Sequence, residues 1–159
     1  MADIFRIWIE INHHAAFRSG GWAYVVAEGS ALTGAAGGER AGSAERIALA
    51  GLVEALKGVP AGARIEVLSA SPSVIAAYRR LTAPDAEDPP GEDLELWAQL
   101  STALKGRPVR FAPVASAPRT PTAFAAAWAE LARDKAKTSP FRAAIPKTNL
   151  SKAGVPVLS

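Results

Sequence analysis

A change in the spacing of the apolar residues, from every second position to every third or fourth, constrains this chain most. Residues 4 to 11 alternate in the manner of a half-buried strand. Phe5, Ile7, Ile9 and Ile11 share one face, and Arg6, Trp8 and Glu10 lie on the other. Residues 21 to 27 indicate a second strand and residues 30 to 36 a weaker third. Because the connections are short, the three strands are predicted to form an antiparallel meander.

From Ser43 onward the apolar residues follow helical spacing. Ser43 is a candidate N-cap for a helix that ends near residues 58 to 60,. The later predicted elements are a strand at 63 to 69, a helix from Pro72 to about Leu81, a helix at 94 to 104, a strand at 108 to 114 and a helix from 122 to about 137. The predicted order is therefore βββαβααβα, an α/β domain with a mixed sheet.

The composition is that of one folded domain. The chain has 159 residues, of which 49% are hydrophobic, enough for one sizeable core. The absence of cysteine excludes disulfides, thiolate metal ligands and cysteine nucleophiles,. The first residues show neither a secretory signal nor a long apolar run. We therefore predict a cytoplasmic protein without a membrane segment.

The positive charge is concentrated in the C-terminal segment. Residues 1 to 137 hold fifteen cationic and fifteen acidic side chains, and residues 138 to 159 add Arg142, Lys147 and Lys152 without any acid. This segment also has three prolines and no period, which predicts disorder, or order only on a partner. We therefore divide the chain into a domain at 1 to 137 and a basic, Pro-containing tail at 138 to 159.

Two partners suit such a tail. It could contact nucleic acid nonspecifically, or it could fold on a protein partner through apolar side chains placed among the cations. These side chains are Phe141, Ile145, Leu150, Val155, Val157 and Leu158. An idle terminus is the third interpretation.

The order of elements, together with local markers, resembles the ribonuclease H family over residues 3 to 137. The markers are Glu10 followed by Gly21-Trp22-Ala23, Ser43-Ala44-Glu45-Arg46 at a helix start, the segment 94 to 100 (LELWAQL) and the segment 128 to 132 (WAELA). Their order and spacing carry the resemblance. It implies a ribonuclease H-like fold, with a mixed five-stranded sheet and helices on both faces.

The resemblance also implies where a catalytic site would lie. Members of the family cut the RNA strand of an RNA-DNA hybrid with two divalent metal ions held by four carboxylates. The corresponding positions here are Glu10, Glu45, Ser71 and Ala129. Glu10 replaces an aspartate, a serine hydroxyl is a weak ligand, and alanine offers none. Because Mg²⁺ needs several oxygen ligands, the sequence predicts a failed two-metal site without a resident cofactor.

The expected substrate contacts are changed as well. Between Arg80 and Lys105 there is no cation, where family members often carry a basic segment that grips nucleic acid. The acids in this stretch are Asp85, Glu87, Asp88, Glu92, Asp93 and Glu95. The loop before the last helix also lacks the family's histidine. Because phosphate affinity depends mainly on cations, we expect nucleic-acid binding to be weak.

Two further groups of residues, the adjacent histidines and the serines of residues 67 to 78, are candidates for metal binding and nucleophilic catalysis. His13 and His14 are adjacent in a predicted loop, and such side chains point apart, which favours a solvated loop over a shared metal site. The serines of the segment 67 to 78 (VLSASPSVIAAY) have no neighbouring base for nucleophilic catalysis,. Ser71 before Pro72 is better explained as a helix N-cap.

The sequence therefore predicts a catalytically inactive ribonuclease H-like module, kept for binding or structure, with a protein as its partner. The partner would bind the tail at 138 to 159 under one interpretation. The alternative is a weak or altered metal-dependent ribonuclease that uses Glu10 and Glu45 to hold a single Mg²⁺ or Mn²⁺ ion and acts on a hybrid or another nucleic acid.

Overall fold

The computed structural model describes residues 4–40, 43–82 and 93–156. Its strands are β1 (Ile4–His14), β2 (Ser19–Glu28), β3 (Ala31–Arg40), β4 (Arg64–Ser69), β5 (Val109–Pro113) and β6 (Phe141–Ala144). Its helices are α1 (Ala44–Lys57), α2 (Pro72–Thr82), α3 (Leu94–Leu104), α4 (Pro121–Lys135) and α5 (Lys147–Leu150). Through α4 this is the predicted order βββαβααβα. Residues 83–92, which hold four of the six acids between Arg80 and Lys105, lie outside the described part.

The strands form one mixed sheet in the order β5-β4-β1-β2-β3-β6. β1, β2 and β3 make the predicted antiparallel meander. β4 pairs in parallel with β1, and β5 pairs in parallel with β4. The sixth strand, β6, pairs antiparallel with β3. The prediction of a mixed sheet is confirmed, and the predicted number of five strands is corrected to six.

Helices cover both faces of the sheet, as predicted. On one face the main core joins β1, β4 and the helices α1, α2 and α3, with Ile7, Leu52 and Trp97 among its buried side chains. On the other face α4 packs on β2 and β3 through alanines that are almost completely buried. None of the helices within the described residues is long and apolar enough to cross a membrane.

The close approach of α4 depends on glycine in β2. A Cβ atom added to Gly21 would collide with the backbone of Ala129 and Arg133. At this point the backbones of helix and strand are therefore in direct contact, without side chains between them. A side chain at position 21 would therefore push α4 away from the sheet,.

The C-terminal segment belongs to the folded structure. β6 extends the sheet, and Ile145 and Leu150 are buried against Trp8 and Val25 on the face that also carries α4. The prediction of disorder is therefore wrong for residues 138–156. The prediction used only the composition and the prolines of the segment itself. The segment is ordered because its apolar side chains contact strands that are far away in the sequence. The predicted anchors Val157 and Leu158 lie outside the described residues.

Candidate functional site

The parallel strands β1 and β4 bring Glu10 next to the serines at the start of α2. Trp8 is in register with Leu68, so the two strands run side by side toward Glu10 and Ser69. The chain then turns into α2 at Pro72. Glu10 is only 4% exposed. The structure thus brings Glu10 and Ser71 together near the carboxyl ends of adjacent parallel strands,.

Both oxygens of the Glu10 carboxylate accept hydrogen bonds from the protein. Oε2 accepts from the Ser69 hydroxyl at 2.9 Å and from the Ala70 amide at 2.7 Å. Oε1 accepts from the Ser71 hydroxyl at 3.0 Å. The Ser71 hydroxyl in turn accepts from the Ile11 amide at 3.1 Å. We call Glu10, Ser69 and Ser71 the carboxylate–serine cluster.

Burial and hydrogen bonding act in opposite directions on Glu10. Burial raises the pKa of this carboxyl above its ordinary value, and the hydrogen bonds from Ala70, Ser69 and Ser71 lower it by stabilising the charged form,. Burial is the larger effect. The protein thus supplies the Glu10 carboxylate with the hydrogen-bond donors that water would otherwise supply. A metal ion at Glu10 would have to displace these donors or share the carboxylate with them.

The N-cap predictions had different outcomes at the two helices. The Ser43 side chain accepts from the Arg46 amide at 3.3 Å, so it caps α1 as predicted. At α2 the Ser71 carbonyl accepts from the Val74 and Ile75 amides, whereas its hydroxyl contacts β1. The predicted capping bond by the Ser71 hydroxyl is therefore wrong. Its donor and acceptor are used between Glu10 and Ile11.

The other two predicted positions contribute differently. Glu45 lies half-buried in the first turn of α1. Ala129 is completely buried among the alanines of α4, β2 and β3. Among residues 4–40, 43–82 and 93–156, no group of three or more His, Asp or Glu side chains is arranged to hold a metal ion.

The two histidines lie at the end of β1 rather than in the predicted loop. His13 pairs with Gly20 and His14 with Ser19. Because neighbouring residues in a strand point to opposite faces, the two rings are directed apart. The His14 ring lies 4.7 Å from the Phe17 ring, centroid to centroid. This arrangement does not favour a shared metal ion.

An ion pair that sequence reasoning missed ties the start of α1 to two other elements. Arg46 Nε lies 2.7 Å from Glu39 Oε1, and Arg46 Nη1 lies 2.8 Å from Asp93 Oδ1. The hydrogen bond to Asp93 is the largest cause that raises the pKa of Arg46. Asp93, one of the six acids between Arg80 and Lys105, is therefore paired with a cation that it shares with Glu39. Arg46 and Asp93 are 47 residues apart in the sequence, so no local signal identifies their contact.

Comparison with known proteins finds similarity in structure but not in sequence. No family model and no curated protein matches the chain. Among solved structures, LC9-RNase H1, a type 1 RNase H with the type 2 active-site motif, aligns with a TM-score of 0.69 and 14% identity, over 96% of this chain and 86% of that chain.

Two further structures agree. The N-terminal RNase H domain of Rv2228c from Mycobacterium tuberculosis aligns with a TM-score of 0.63 and 20% identity, over 86% of this chain and 98% of that chain. The foamy viral protease-reverse transcriptase, solved with dsDNA, aligns with a TM-score of 0.61 and 14% identity, over 84% of this chain and 95% of that chain. The protein has a ribonuclease H-like fold, which confirms the resemblance seen in the sequence.

Proposed function

We propose that this protein is a catalytically inactive ribonuclease H-like domain that acts in the cytoplasm as a binding or structural module for a protein partner. The observation that carries the proposal is the burial and hydrogen bonding of Glu10. Its carboxylate is almost completely buried and accepts hydrogen bonds from Ser69, Ala70 and Ser71. In a two-metal nuclease the carboxylate oxygens must be open to metal ions.

The surroundings of Glu10 support the same proposal. Ser71 offers a neutral hydroxyl that is already engaged at both its donor and its acceptor. Ala129 offers no ligand and is completely buried among the alanines of α4, β2 and β3. With Glu45 as the one further acid of the predicted set, the protein supplies too few anionic oxygens for a pair of hard cations.

A protein is favoured over a nucleic acid as partner. The stretch between Arg80 and Lys105 has six acids and no cations, and such a composition supplies no cationic contact to phosphates. Large apolar side chains are exposed at Phe17 and Leu94, which are 55% and 60% accessible. Because Ile145 and Leu150 are buried inside this domain, we propose that the partner binds elsewhere than on the apolar residues of the tail.

Hydrolysis of a labelled RNA-DNA hybrid tests the loss of activity. The wild-type protein and Glu45→Ala would be incubated with the hybrid in Mg²⁺ and in Mn²⁺. We expect both to equal the protein-free control. Cleavage by the wild type that Glu45→Ala lacks would show an active metal-dependent nuclease and refute the proposal. Equal cleavage by both proteins would indicate a contaminating nuclease and calls for repurification before the comparison is read.

Thermal unfolding with added Mn²⁺ examines the single-ion alternative. An ion held by Glu10 and Glu45 in the folded state would raise the melting temperature with ion concentration. We expect no such increase, because the Glu10 oxygens are taken by protein donors. An increase at millimolar Mn²⁺ that disappears in Glu45→Ala would support the alternative.

A further inference from the structure

A pocket lies where α2, α3 and the edge strand β5 meet. Its volume is about 380 Å³, within the range of ligand-binding clefts. Tyr78 and Leu81 of α2 line it, together with Ser101 and Leu104 of α3 and Val109 of β5. The carboxylate–serine cluster lies at the start of α2, whereas the pocket lies along its second half. The pocket is therefore separate from the site at Glu10.

The aromatic wall of the pocket is preformed. The Tyr78 ring stacks on the Phe111 ring, with centroids 4.7 Å apart and an angle of 21° between the planes. The Tyr78 hydroxyl donates a hydrogen bond of 3.4 Å to the Val109 carbonyl. Both contacts are with β5, so the ring is held against the edge of the sheet. Leu81 and Leu104 extend this apolar surface.

The charged side chains that line the pocket are both cations. They are Lys105 and Arg107, in the turn between α3 and β5. No acid occurs in α2, in β5 or in this turn. Glu95 lies in the first turn of α3, about 15 Å along the helix axis from Lys105,. The charge at the pocket is therefore positive.

This positive charge is not compensated within the part of the chain that the structure describes. There, neither the Lys105 side chain nor the Arg107 side chain forms an ion pair or a hydrogen bond. Arg107 is half-buried, and its Nη1 atom is closed off from water without a partner. Such a group in a folded protein calls for an explanation, and a missing ion is one. An anion at the guanidinium would offset the cost of withdrawing Arg107 from water.

We propose that this pocket binds a small organic anion, with a carboxylate or phosphate group held by Lys105 and Arg107. Guanidinium pairs with both groups through parallel N–H donors, and the ammonium adds a second positive charge. The apolar body of the ligand packs against Tyr78, Leu81 and Leu104. The site adds a small-molecule ligand to the protein partner proposed above and does not depend on that function.

Four probes separate the anionic group from the apolar body. Naphthoate and naphthyl phosphate have both, naphthylmethanol has the ring without the charge, and inorganic phosphate has the charge without the ring. Amide chemical shifts of the full chain in proton–nitrogen correlation spectra measure binding. We expect dissociation constants of about 1 mM for the two naphthyl anions and binding at least about tenfold weaker for the other two probes. The tighter of the two naphthyl anions identifies the preferred anionic group.

Variants locate the binding site. Ser101→Glu, which puts a carboxylate on an exposed lining position, is expected to weaken both naphthyl anions about tenfold. Gln99→Glu is its matched control, because Gln99 is exposed on the other side of α3. Arg107→Gln is expected to weaken the anions and leave naphthylmethanol unchanged. Its control is Arg110→Gln, since Arg110 and the lining residue Val109 are neighbours in β5 and point to opposite faces,.

Several results would overturn the site. They are the absence of shifts with either naphthyl anion, shifts centred away from the turn at 105–108, and equal effects of Ser101→Glu and Gln99→Glu. Binding of naphthylmethanol as tight as that of naphthoate would refute the role of the cations. Binding of inorganic phosphate as tight as that of naphthyl phosphate would refute the role of the apolar wall. If Arg107→Gln does not fold, the comparison of Ser101→Glu with Gln99→Glu decides.

Discussion

Replacement of Ser71 by alanine probes the carboxylate–serine cluster directly. The substitution removes the hydrogen bond from the hydroxyl to Glu10 Oε1 and the acceptor for the Ile11 amide. Ser71 is 6% exposed and Glu10 is 4% exposed, so water replaces these partners poorly. A hydrogen bond to a charged group contributes about 1.5–3 kcal/mol, and a buried donor left without a partner costs about 1–3 kcal/mol.

Because the two contributions share one hydroxyl, we expect a combined loss of about 3 kcal/mol in the free energy of unfolding at pH 7. For a domain of this size, 1 kcal/mol lowers the melting temperature by roughly 2–4 °C, so the expected decrease is about 10 °C. The loss should be smaller at pH 4 than at pH 7. Removal of a donor to the charged form raises the Glu10 pKa further, so the variant loses more stability as its carboxyl ionises,.

Urea unfolding followed by circular dichroism at both pH values measures this difference. Ser73→Ala is the control, since Ser73 is a partly exposed serine one half-turn further into α2. We expect it to stay within about 0.5 kcal/mol of the wild type. A loss below about 1 kcal/mol for Ser71→Ala, or one that is the same at pH 4 and pH 7, would refute the buried, hydrogen-bonded carboxylate.

Three further predictions concern other parts of the structure. Glu10→Gln removes a carboxyl whose pKa is raised in the folded state. The free energy of unfolding of the wild type, relative to this variant, should therefore be highest below pH 4.5 and decrease toward pH 7,. An increase over that range in urea titrations would contradict this prediction. Leu150→Ala should cost about 2–5 kcal/mol because Leu150 is 2% exposed,, whereas the exposed Lys152→Ala should change little in the same assay. Gly21→Ala should lower the melting temperature by several degrees through collision with the α4 backbone,, and an unchanged value would show that α4 can move away.

The order of elements was predictable because it depends on local periods and markers. Alternation in residues 4 to 11 identified β1, and Ser43 identified the start of α1, where its side chain caps the helix. The strand β6 was missed for a physical reason. It has four residues, and Pro140 and Pro146 flank it. Its stability comes from pairing with β3, and no local pattern records a pairing across more than 100 residues.

The sequence led to two residues that are in contact, Glu10 and Ser71, but not to the hydrogen bonds between them. The resemblance placed Glu10 and Ser71 together, and the parallel pairing of β1 with β4 does so in the structure. The direction of the Ser71 hydroxyl depends on side-chain rotamers and on the nearby Ile11 amide. Periodicity contains no information about either. Residue types therefore predicted too few metal ligands, whereas the geometry shows which groups donate hydrogen bonds to Glu10.

The pairing of β6 with β3 has a consequence for the growing chain. During synthesis β1 to β5 and α1 to α4 leave the ribosome before residues 141–150,. Until then the outer edge of β3 has no neighbour, and Trp8 and Val25 lack their contacts with Ile145 and Leu150. A nascent chain at that stage presents an open strand edge beside exposed apolar side chains, the combination that promotes association between chains. We therefore expect association between chains to be strongest in the interval before β6 is added.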